Sequence, residues 1–157
     1  MRLRVIAVGT RMPRWVDEAV EDYSRRLRGS WKLEFNALAP ASRKEAGNAA
    51  GRAKSAEARR ILALLDARDI VVPLDERGQQ FSTLELSTWL EARRTQGEDL
   101  VFVIGGPDGL DDQVLARGRR LWSLSRLTLP HGLARVLLAE QLYRAATLSA
   151  GHPYHRS

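Results

Sequence analysis

Short apolar runs alternate with longer stretches of helical composition along the whole chain. Five apolar runs are interpreted as strands because each is bounded by glycine, proline or aspartate, as strands are when a turn follows. The fourth run, DLVFVI, is apolar without alternation, so we expect it to be buried on both faces of a parallel sheet. The five predicted strands cover residues 2–8, 31–38, 69–74, 99–104 and 125–129.

Helical patterns fill the intervals between these strands. Pro13 opens the first helix, and Ser82-Thr-Leu-Glu85 is a capping box that starts the third. Strands that alternate with helices predict a three-layer α/β sandwich with a largely parallel sheet. The 157 residues are expected to form one domain. The helices are predicted over residues 13–27, 42–67, 82–94, 111–120 and 133–150, with turns at 75–78 and 130–132.

The last predicted helix is apolar on nearly all sides. Twelve of its residues, 133–150, are Ala, Val, Leu or Tyr, and only Arg135, Glu140 and Arg144 are charged. Such a helix must be covered on more than one side. The sheet supplies one cover, and the second is either a partner subunit or the rest of a monomer's core. We favour a two-fold homodimer, the commonest oligomeric arrangement.

Composition narrows the class of protein. The absence of cysteine excludes disulfides, thiolate zinc sites and iron–sulfur clusters. No apolar run is long enough to span a membrane, and the N-terminal run is too short for a signal peptide, so we expect a cytoplasmic protein. The net charge is +6, with arginine supplying 22 of the 25 basic residues. Both ends of the chain are cationic, which favours a nucleic-acid partner, although an arginine-rich proteome gives the same composition.

Three loops at the carboxyl ends of predicted strands are candidate binding elements, because ligands of parallel sheets bind there. They follow Leu74, Ile104 and Leu129. The loop Gly105-Gly106-Pro107-Asp108-Gly109 lets a ligand approach the backbone, although a tight turn alone also explains it. It matches neither a dinucleotide nor a triphosphate motif. Asp108 favours a ligand that carries positive charge.

Two further features contain reactive groups. Glu140 is the only acid in the last 45 residues. Its i,i+4 spacing from Arg144 favours an ion pair, and the alternative is that its carboxylate shapes a polar site. The segment from His152 to Arg156 places two imidazoles, a phenol and a guanidinium in five residues. Such groups stack on bases, neutralise anions and move protons, although a chain end without function is the alternative. The histidine spacing does not fit a metal site, and none is predicted.

Four segments together resemble one known family. GTRMPRWVDEAVEDYSRRL, VIGGPDGL, WSLSRLTLPHGLARVLLAEQLYRA and HPYHR are similar to the 23S ribosomal RNA pseudouridine-N3 methyltransferases, which are small, single-domain SPOUT-type enzymes. The resemblance covers almost the whole chain and is most specific in the C-terminal third. Residues 41–58 match poorly, and nothing is transferred to them.

The resemblance implies a fold, a cofactor and a substrate. The fold would be a SPOUT-type parallel α/β sheet with a C-terminal trefoil knot, in a homodimer. S-adenosylmethionine would be the methyl donor, and the target would be a pseudouridine of a 23S rRNA stem-loop in the large subunit of the assembled ribosome. No metal and no membrane would take part. The implied cofactor site comprises Leu74, Gly105, Gly106, Ser125, Arg126, Leu127, Thr128, Leu129 and Pro130.

The resemblance also suggests roles in methyl transfer. His155 would accept the N3 proton or relay it to water. Arg156 would stabilise the imide anion or hold a phosphate, and Tyr154 would stack on the base. Glu140 with Arg144 would fix this segment, in its own or the partner's site. Positioning alone, with solvent taking the proton, is the alternative.

Two other functions fit the same sequence. A non-enzymatic RNA-binding ribosome-assembly factor would share the charge and fold, and an α/β enzyme acting on a small nucleotide would not need the ribosome. Two arginine patches are candidate rRNA contacts, and each is equally consistent with a solvated helix face. They comprise Arg25, Arg26 and Arg28, and Arg117, Arg119 and Arg120.

Overall fold

The computed structural model describes residues 1–27, 29, 31–42, 44, 50–151 and 154. In this part of the chain, strands and helices alternate up to the irregular segment that precedes the last helix. The elements are β1 (Arg2–Val8), α1 (Arg14–Arg26), β2 (Lys32–Leu38), α2 (Ala50–Leu62), β3 (Ile70–Gln79), α3 (Thr83–Thr95), β4 (Leu100–Ile104), α4 (Asp112–Arg117) and α5 (His131–Ser149).

The four strands form one parallel sheet in the order β2-β1-β4-β3. β1 and β4 are therefore central, and Ala7 pairs with Ile104 near their carboxyl ends. All five residues of β4 are buried, as its continuous apolar run predicts. This register brings the loops that follow the two central strands side by side.

Side chains that alternate along the strands form two cores. Leu3 and Phe102 belong to the core beneath α1, α3 and α5, whereas Ile6 and Val103 belong to the core beneath α2 and α4. Because successive strand side chains point to opposite faces, each strand serves both cores. The predicted three-layer α/β sandwich with a parallel sheet is confirmed, and the trefoil knot stays a prediction.

The predicted fifth strand, 125–129, is wrong. In the described residues, the segment between α4 and α5 does not supply a fifth strand: it contacts β3 through isolated bridges of Trp122 to Leu74 and Gln79 and through Arg119 N, which donates to the Val71 carbonyl at 2.9 Å. Serine hydroxyls in this segment bond to its own backbone: Ser123 Oγ donates to the Ser125 carbonyl at 2.9 Å, and Ser125 Oγ accepts from Leu127 N at 2.9 Å. These local bonds compete with a strand ladder.

The predicted turn at 75–78 is also wrong, because β3 continues to Gln79. The continuation has its own backbone partner: Gln79 N donates to the Leu121 carbonyl and Gln79 O accepts from Ser123 N, both at 3.0 Å. A Cβ at Gly78 would lie 2.7 Å from the Trp122 backbone, so this close approach requires glycine. The glycine that suggested a turn instead lets a neighbouring segment pack against an extended strand.

The helices differ from the prediction mainly at their ends. Ser42 is not helical, whereas Lys44 is, and the helix Ala50–Leu62 ends before the predicted residue 67; the fourth helix ends at Arg117 rather than 120. The last helix begins at His131, with Pro130 as its N-cap. Residues 131 and 132 therefore belong to the first turn of this helix and do not form the separate turn predicted at 130–132. The capping box is confirmed, because Ser82 Oγ accepts from Glu85 N and Glu85 Oε2 accepts from Ser82 N.

Candidate active site

A cavity of about 890 Å³ lies at the carboxyl ends of β1, β3 and β4. The loop after β1 forms one wall, with Gly9 and Met12. The continuation of β3, residues 74–77, forms another, and the loop after β4 faces both. The irregular segment 122–129 and the first turn of α5 complete the enclosure. The cavity therefore lies where the parallel-sheet rule places a ligand.

The glycine-rich loop is a tight turn and a cavity wall at once. Gly109, with φ +80°, donates from its N to the Gly106 carbonyl at 3.0 Å. A Cβ at Gly105 would lie 2.8 Å from the Gly109 carbonyl carbon, and a Cβ at Gly106 would lie 3.1 Å from Glu57 Oε2. Both positions therefore leave little room for a side chain, and their backbone faces the cavity.

Most of the residues predicted to bind the cofactor line this single cavity. Five of the predicted residues, 125–129, lie in the segment that begins at Trp122. Trp122 packs edge-on against Phe102, with 5.8 Å between the ring centroids, and this contact anchors the start of the segment. Arg126 and Pro130 are exposed and do not belong to the lining. The residues that do are Leu74, Gly105, Gly106, Ser125, Leu127, Thr128 and Leu129.

Charged side chains surround the cavity with a slight excess of acid. Asp75, Glu76 and Asp108 line it together with Lys54 and Arg77. Arg77 donates from Nε to Asp75 Oδ1 at 2.8 Å, and this hydrogen bond holds the pKa of the Asp75 carboxyl below its ordinary value. Such a surround suits a ligand with positive charge better than a phosphate.

The first turn of α5 contributes an imidazole and a buried guanidinium. Arg135 is 5% exposed, and its Nη2 donates to the Gly9 carbonyl at 2.6 Å. Its Nε donates to Nε2 of His131 at 2.8 Å, and His131 lines the cavity. Burial, with a smaller effect from Arg135, lowers the pKa of His131, and burial also lowers the pKa of Arg135.

Glu140, Arg144 and Tyr154 form a second cluster along α5. Arg144 Nη2 lies 2.7 Å from Glu140 Oε1, and the Tyr154 hydroxyl donates to the same oxygen at 3.4 Å. The Tyr154 ring packs edge-on against Tyr143 at 4.7 Å, with the Arg144 guanidinium 4.9 Å from its centre. Burial, together with a hydrogen bond to Tyr23, raises the pKa of Tyr154 to about 12, so its phenol stays protonated at neutral pH.

The structure brings together three of the five predicted catalytic residues, and it keeps them apart from the cavity. Glu140, Arg144 and Tyr154 are in contact, but none of them lines the cavity. His155 and Arg156 lie outside the described residues. The Tyr154 ring already contacts Tyr143 and Arg144, so base stacking requires that at least one of these contacts be replaced.

The arginine patches have partners within the chain. Arg26 pairs with Asp22 at 2.7 Å, and Arg120 stacks on Phe81 at 4.8 Å. Arg117 donates to the carbonyl of Asp66 at 2.8 Å. Arg28 lies outside the described residues. These contacts fix the arginines on the surface, and rRNA contact through them stays a prediction.

Sequence reasoning missed Glu57 and the pair of His131 and Arg135. Glu57 is 7% exposed, accepts from Ala41 N at 2.9 Å and lies against Gly106 behind the cavity. Its surroundings in the sequence, rich in Ala, Arg and Lys, suggest a solvated helix face, so no local signal marks it. The i,i+4 spacing of His131 and Arg135 was a usable signal, because such residues meet on one helix face.

The described residues contain neither a metal-binding cluster nor a membrane-spanning helix. No group of three or more His, Cys, Asp or Glu side chains there is arranged to hold a metal ion. No helix formed by those residues is both long and apolar enough to cross a membrane.

Comparison with known proteins identifies the family. Residues 1–155 match the family described as "Predicted SPOUT methyltransferase". The chain therefore belongs to the SPOUT methyltransferase family. Two proteins named "Ribosomal RNA large subunit methyltransferase H" are similar over 99% of this chain: one from Thiobacillus denitrificans, 52% identical over 99% of its length, and one from Chromohalobacter salexigens, 49% identical over 100%.

A solved structure agrees with this fold. The crystal structure of a probable methyltransferase from Bordetella pertussis matches 91% of this chain and 93% of its own, with a TM-score of 0.53 and 15% sequence identity. At that identity the likeness supports the α/β architecture alone.

Proposed function

We propose that this protein is a ribosomal RNA methyltransferase that transfers the methyl group of S-adenosylmethionine to N3 of a pseudouridine in a 23S rRNA stem-loop of the assembled ribosome. One observation carries the proposal: the loops after β1 and β4, the end of β3 and the irregular segment 122–129 enclose one cavity in a chain of the SPOUT family. The names of the full-length relatives support rRNA as the substrate. A ribosomal substrate also implies a cytoplasmic location.

The residues of the cavity fit the proposed donor. Backbone groups of Gly105 and Gly106 and of segment 125–129 suit recognition of a nucleoside by hydrogen bonds. Leu74 offers an apolar surface for the adenine ring, and Asp108 suits a ligand with positive charge. Bound S-adenosylmethionine supplies an electrophilic methyl group on a sulfonium. Arg126 and Pro130 are exposed and lie outside the lining, so the proposal assigns them no contact with the donor.

The acceptor nitrogen needs help from the protein. N3 of pseudouridine is an imide nitrogen, so it must lose its proton, and negative charge develops on N3 and its flanking carbonyls. His155 takes this proton or relays it to water, and Arg156 stabilises the charge. Glu140 and Arg144 hold Tyr154, and hence the segment that follows it, through the contacts described above.

Distance along α5 supports a site shared between two subunits. The cavity lies at the first turn of α5, whereas Tyr154 rests on Glu140 and Tyr143, which are 9 and 12 residues further along. At the helical rise these positions lie about 14 and 18 Å from the start of the helix. Two residues of extended chain beyond Tyr154 span only about 7 Å. While Tyr154 rests on α5, this length is too short to bring the backbone of residue 156 to the cavity of its own subunit, so we propose that His155 and Arg156 act at the cavity of a partner.

An exposed apolar surface supports the homodimer. Trp15, in the first turn of α1, is 53% exposed, and Leu133, in the first turn of α5, is 41% exposed. The two turns are neighbours, because a Cβ at Gly132 would lie 2.9 Å from the side chain of Val16. Large apolar side chains gathered near the mouth of a cavity are typical of an interface.

Transfer of a labelled methyl group tests this function. Incubation with labelled S-adenosylmethionine is expected to methylate ribosomal particles but not free pseudouridine, since we propose that specificity comes from docking to a preformed ribosomal surface. A variant that ends at Ala150 should bind the donor with an affinity within about threefold of wild type, measured by calorimetry, and should transfer no methyl group.

Other outcomes separate the alternatives. Absence of donor binding would identify a non-enzymatic RNA-binding factor, and efficient methylation of free nucleosides would identify an enzyme of small substrates. Full activity in the truncated variant would remove Tyr154, His155 and Arg156 from the mechanism.

A further inference from the structure

A buried cation lies directly behind one wall of the cavity. The Arg135 guanidinium is 5% exposed, and it reaches uncharged acceptors: the carbonyl oxygens of Val8 and Gly9 and the ring nitrogen of His131. Burial of a cation against uncharged acceptors is costly, and the charge of Asp17 compensates for the lost hydration only in part, because the pKa of Arg135 remains lowered. A feature that costs stability beside a binding cavity is a candidate for a functional role.

The hydrogen bond between these two side chains determines the state of the imidazole. Arg135 Nε is always a donor, so His131 Nε2, at 2.8 Å, must be the unprotonated acceptor. The neutral ring therefore carries its proton on Nδ1. The backbone carbonyl of Gly105 also faces this ring as a hydrogen-bond acceptor. One neutral imidazole thus connects the glycine turn after β4 with the arginine that holds the loop after β1.

We propose that His131 is a positioning residue for the methyl donor: while its ring is neutral it holds the Gly105 and Gly9 walls of the cavity together through Arg135, and protonation of the ring releases them and weakens donor binding. The inference rests on the proposed function, because it concerns the affinity for S-adenosylmethionine. His131 acts through the backbone of Gly105 and through Arg135.

Burial and the neighbouring guanidinium of Arg135 favour the neutral ring. Arg135 faces His131 from the same helix, Asp17 of α1 acts on Arg135, and Asp108 of the glycine turn lines the same cavity. Burial and Arg135 both lower the pKa of His131, and the Gly105 carbonyl opposes them. A histidine with a lowered pKa in the folded state contributes stability above its unfolded pKa and loses it as the pH falls through the folded value. The connection is therefore intact at neutral pH and is lost on acidification.

Calorimetric titration with S-adenosylmethionine tests the proposal. Wild type should lose about threefold to tenfold in donor affinity between about pH 8 and pH 5.5, because the lowered pKa of His131 leaves its ring only partly protonated at the lower pH. His131→Gln places a neutral oxygen where Nε2 accepts from Arg135, so its affinity at about pH 8 should stay within about threefold of wild type and should change little on acidification. His131→Leu removes the acceptor and should bind about tenfold more weakly at both values.

Controls separate this connection from other titrating groups. The chain has three histidines, so the double variant His152→Gln/His155→Gln leaves His131 as the only imidazole and should keep the pH response of donor binding. Nitrogen NMR of the same variant without donor should show a neutral ring protonated at Nδ1 at about pH 7. Thermal unfolding of each variant confirms that it is folded.

The outcomes distinguish the two proposals. An equal pH response in wild type and His131→Gln, or a ring protonated at Nε2 at neutral pH, overturns the role of His131 and leaves the proposed function intact. If wild type binds the donor at neither pH, the proposed function is overturned, and the inference is overturned with it.

Discussion

At the scale of single residues, the cavity depends on backbone that has no room for side chains. Gly105→Ala would place a Cβ 2.8 Å from the carbonyl carbon of Gly109, and backbone cannot move aside as a side chain can. We expect this variant to lose about 1–3 kcal/mol of unfolding free energy, as overpacked sites do, and to bind S-adenosylmethionine at least about tenfold more weakly. Urea denaturation and calorimetry measure the two effects.

Gly51→Ala is the matched control for this substitution. Gly51 lies in α2 without a positive φ, and a Cβ there would meet nothing within 4 Å. It should therefore gain about 0.5–1 kcal/mol of unfolding free energy through helix propensity, with donor binding unchanged. If Gly105→Ala were as stable as wild type and bound the donor equally well, the glycine turn would not form the proposed wall.

The sequence predicted the residues whose backbone lines the cavity, but it did not predict the residues that lie behind the cavity wall. Gly105 and Gly106 could be predicted because glycines at the end of a buried strand indicate a close approach of backbone. Glu57 could not, and the spacing of Arg135 indicates its contact with His131 but not its contact with the loop after β1, because these roles depend on which loops the sheet brings beside their helices. Periodicity places a residue on a helix face, but it does not identify the neighbour of that face.

At the scale of elements, the capping box of α3 is a local device with a measurable effect. Ser82→Ala removes the oxygen that accepts from Glu85 N at 3.2 Å, so we expect the unfolding free energy to fall by about 1 kcal/mol. Ser82→Asp keeps an acceptor at the same position and should stay close to wild type. Equal losses in both variants, measured by urea denaturation, would show that the side-chain bond does not stabilise the helix.

The strands that could be predicted are those whose apolar runs are buried by the sheet itself. β1 and β4 are central, so their runs are continuous and their bounds differ from the prediction by at most one residue. Residues 125–129 alternate like a strand, yet their hydroxyls bond to nearby backbone and they form a cavity wall instead. Local pattern describes what a segment can form, and the available sheet edge decides whether it does.

At the scale of the whole molecule, the nearly all-apolar α5 connects the two clusters of the proposed site. One helix carries the cavity at its first turn and the Glu140–Arg144–Tyr154 cluster beyond its middle. A two-fold axis that pairs α5 with its copy would bring the cluster of one subunit toward the cavity of the other. Each subunit then provides half of a site, and a monomer has no complete one.

Mixed dimers test this arrangement directly. Gly105→Val is expected to remove donor binding, because its side chain would overlap the Gly109 backbone. Arg156→Ala is expected to remove transfer and to leave donor binding intact. Each variant alone should therefore be inactive on ribosomal particles. When the two are co-expressed, half of the dimers carry both lesions on opposite subunits, and each of these has one complete site if the site is shared.

The expected recovery is about a quarter of wild-type methyl transfer, since half of the dimers each have one working site of two. A site completed within one subunit gives no recovery, because each subunit of the mixed dimer then lacks either the donor or Arg156. Co-expression of two differently tagged copies of Arg156→Ala is the control and should stay inactive. Recovery that depends on combining the two lesions would locate Arg156 of one subunit at the donor cavity of its partner.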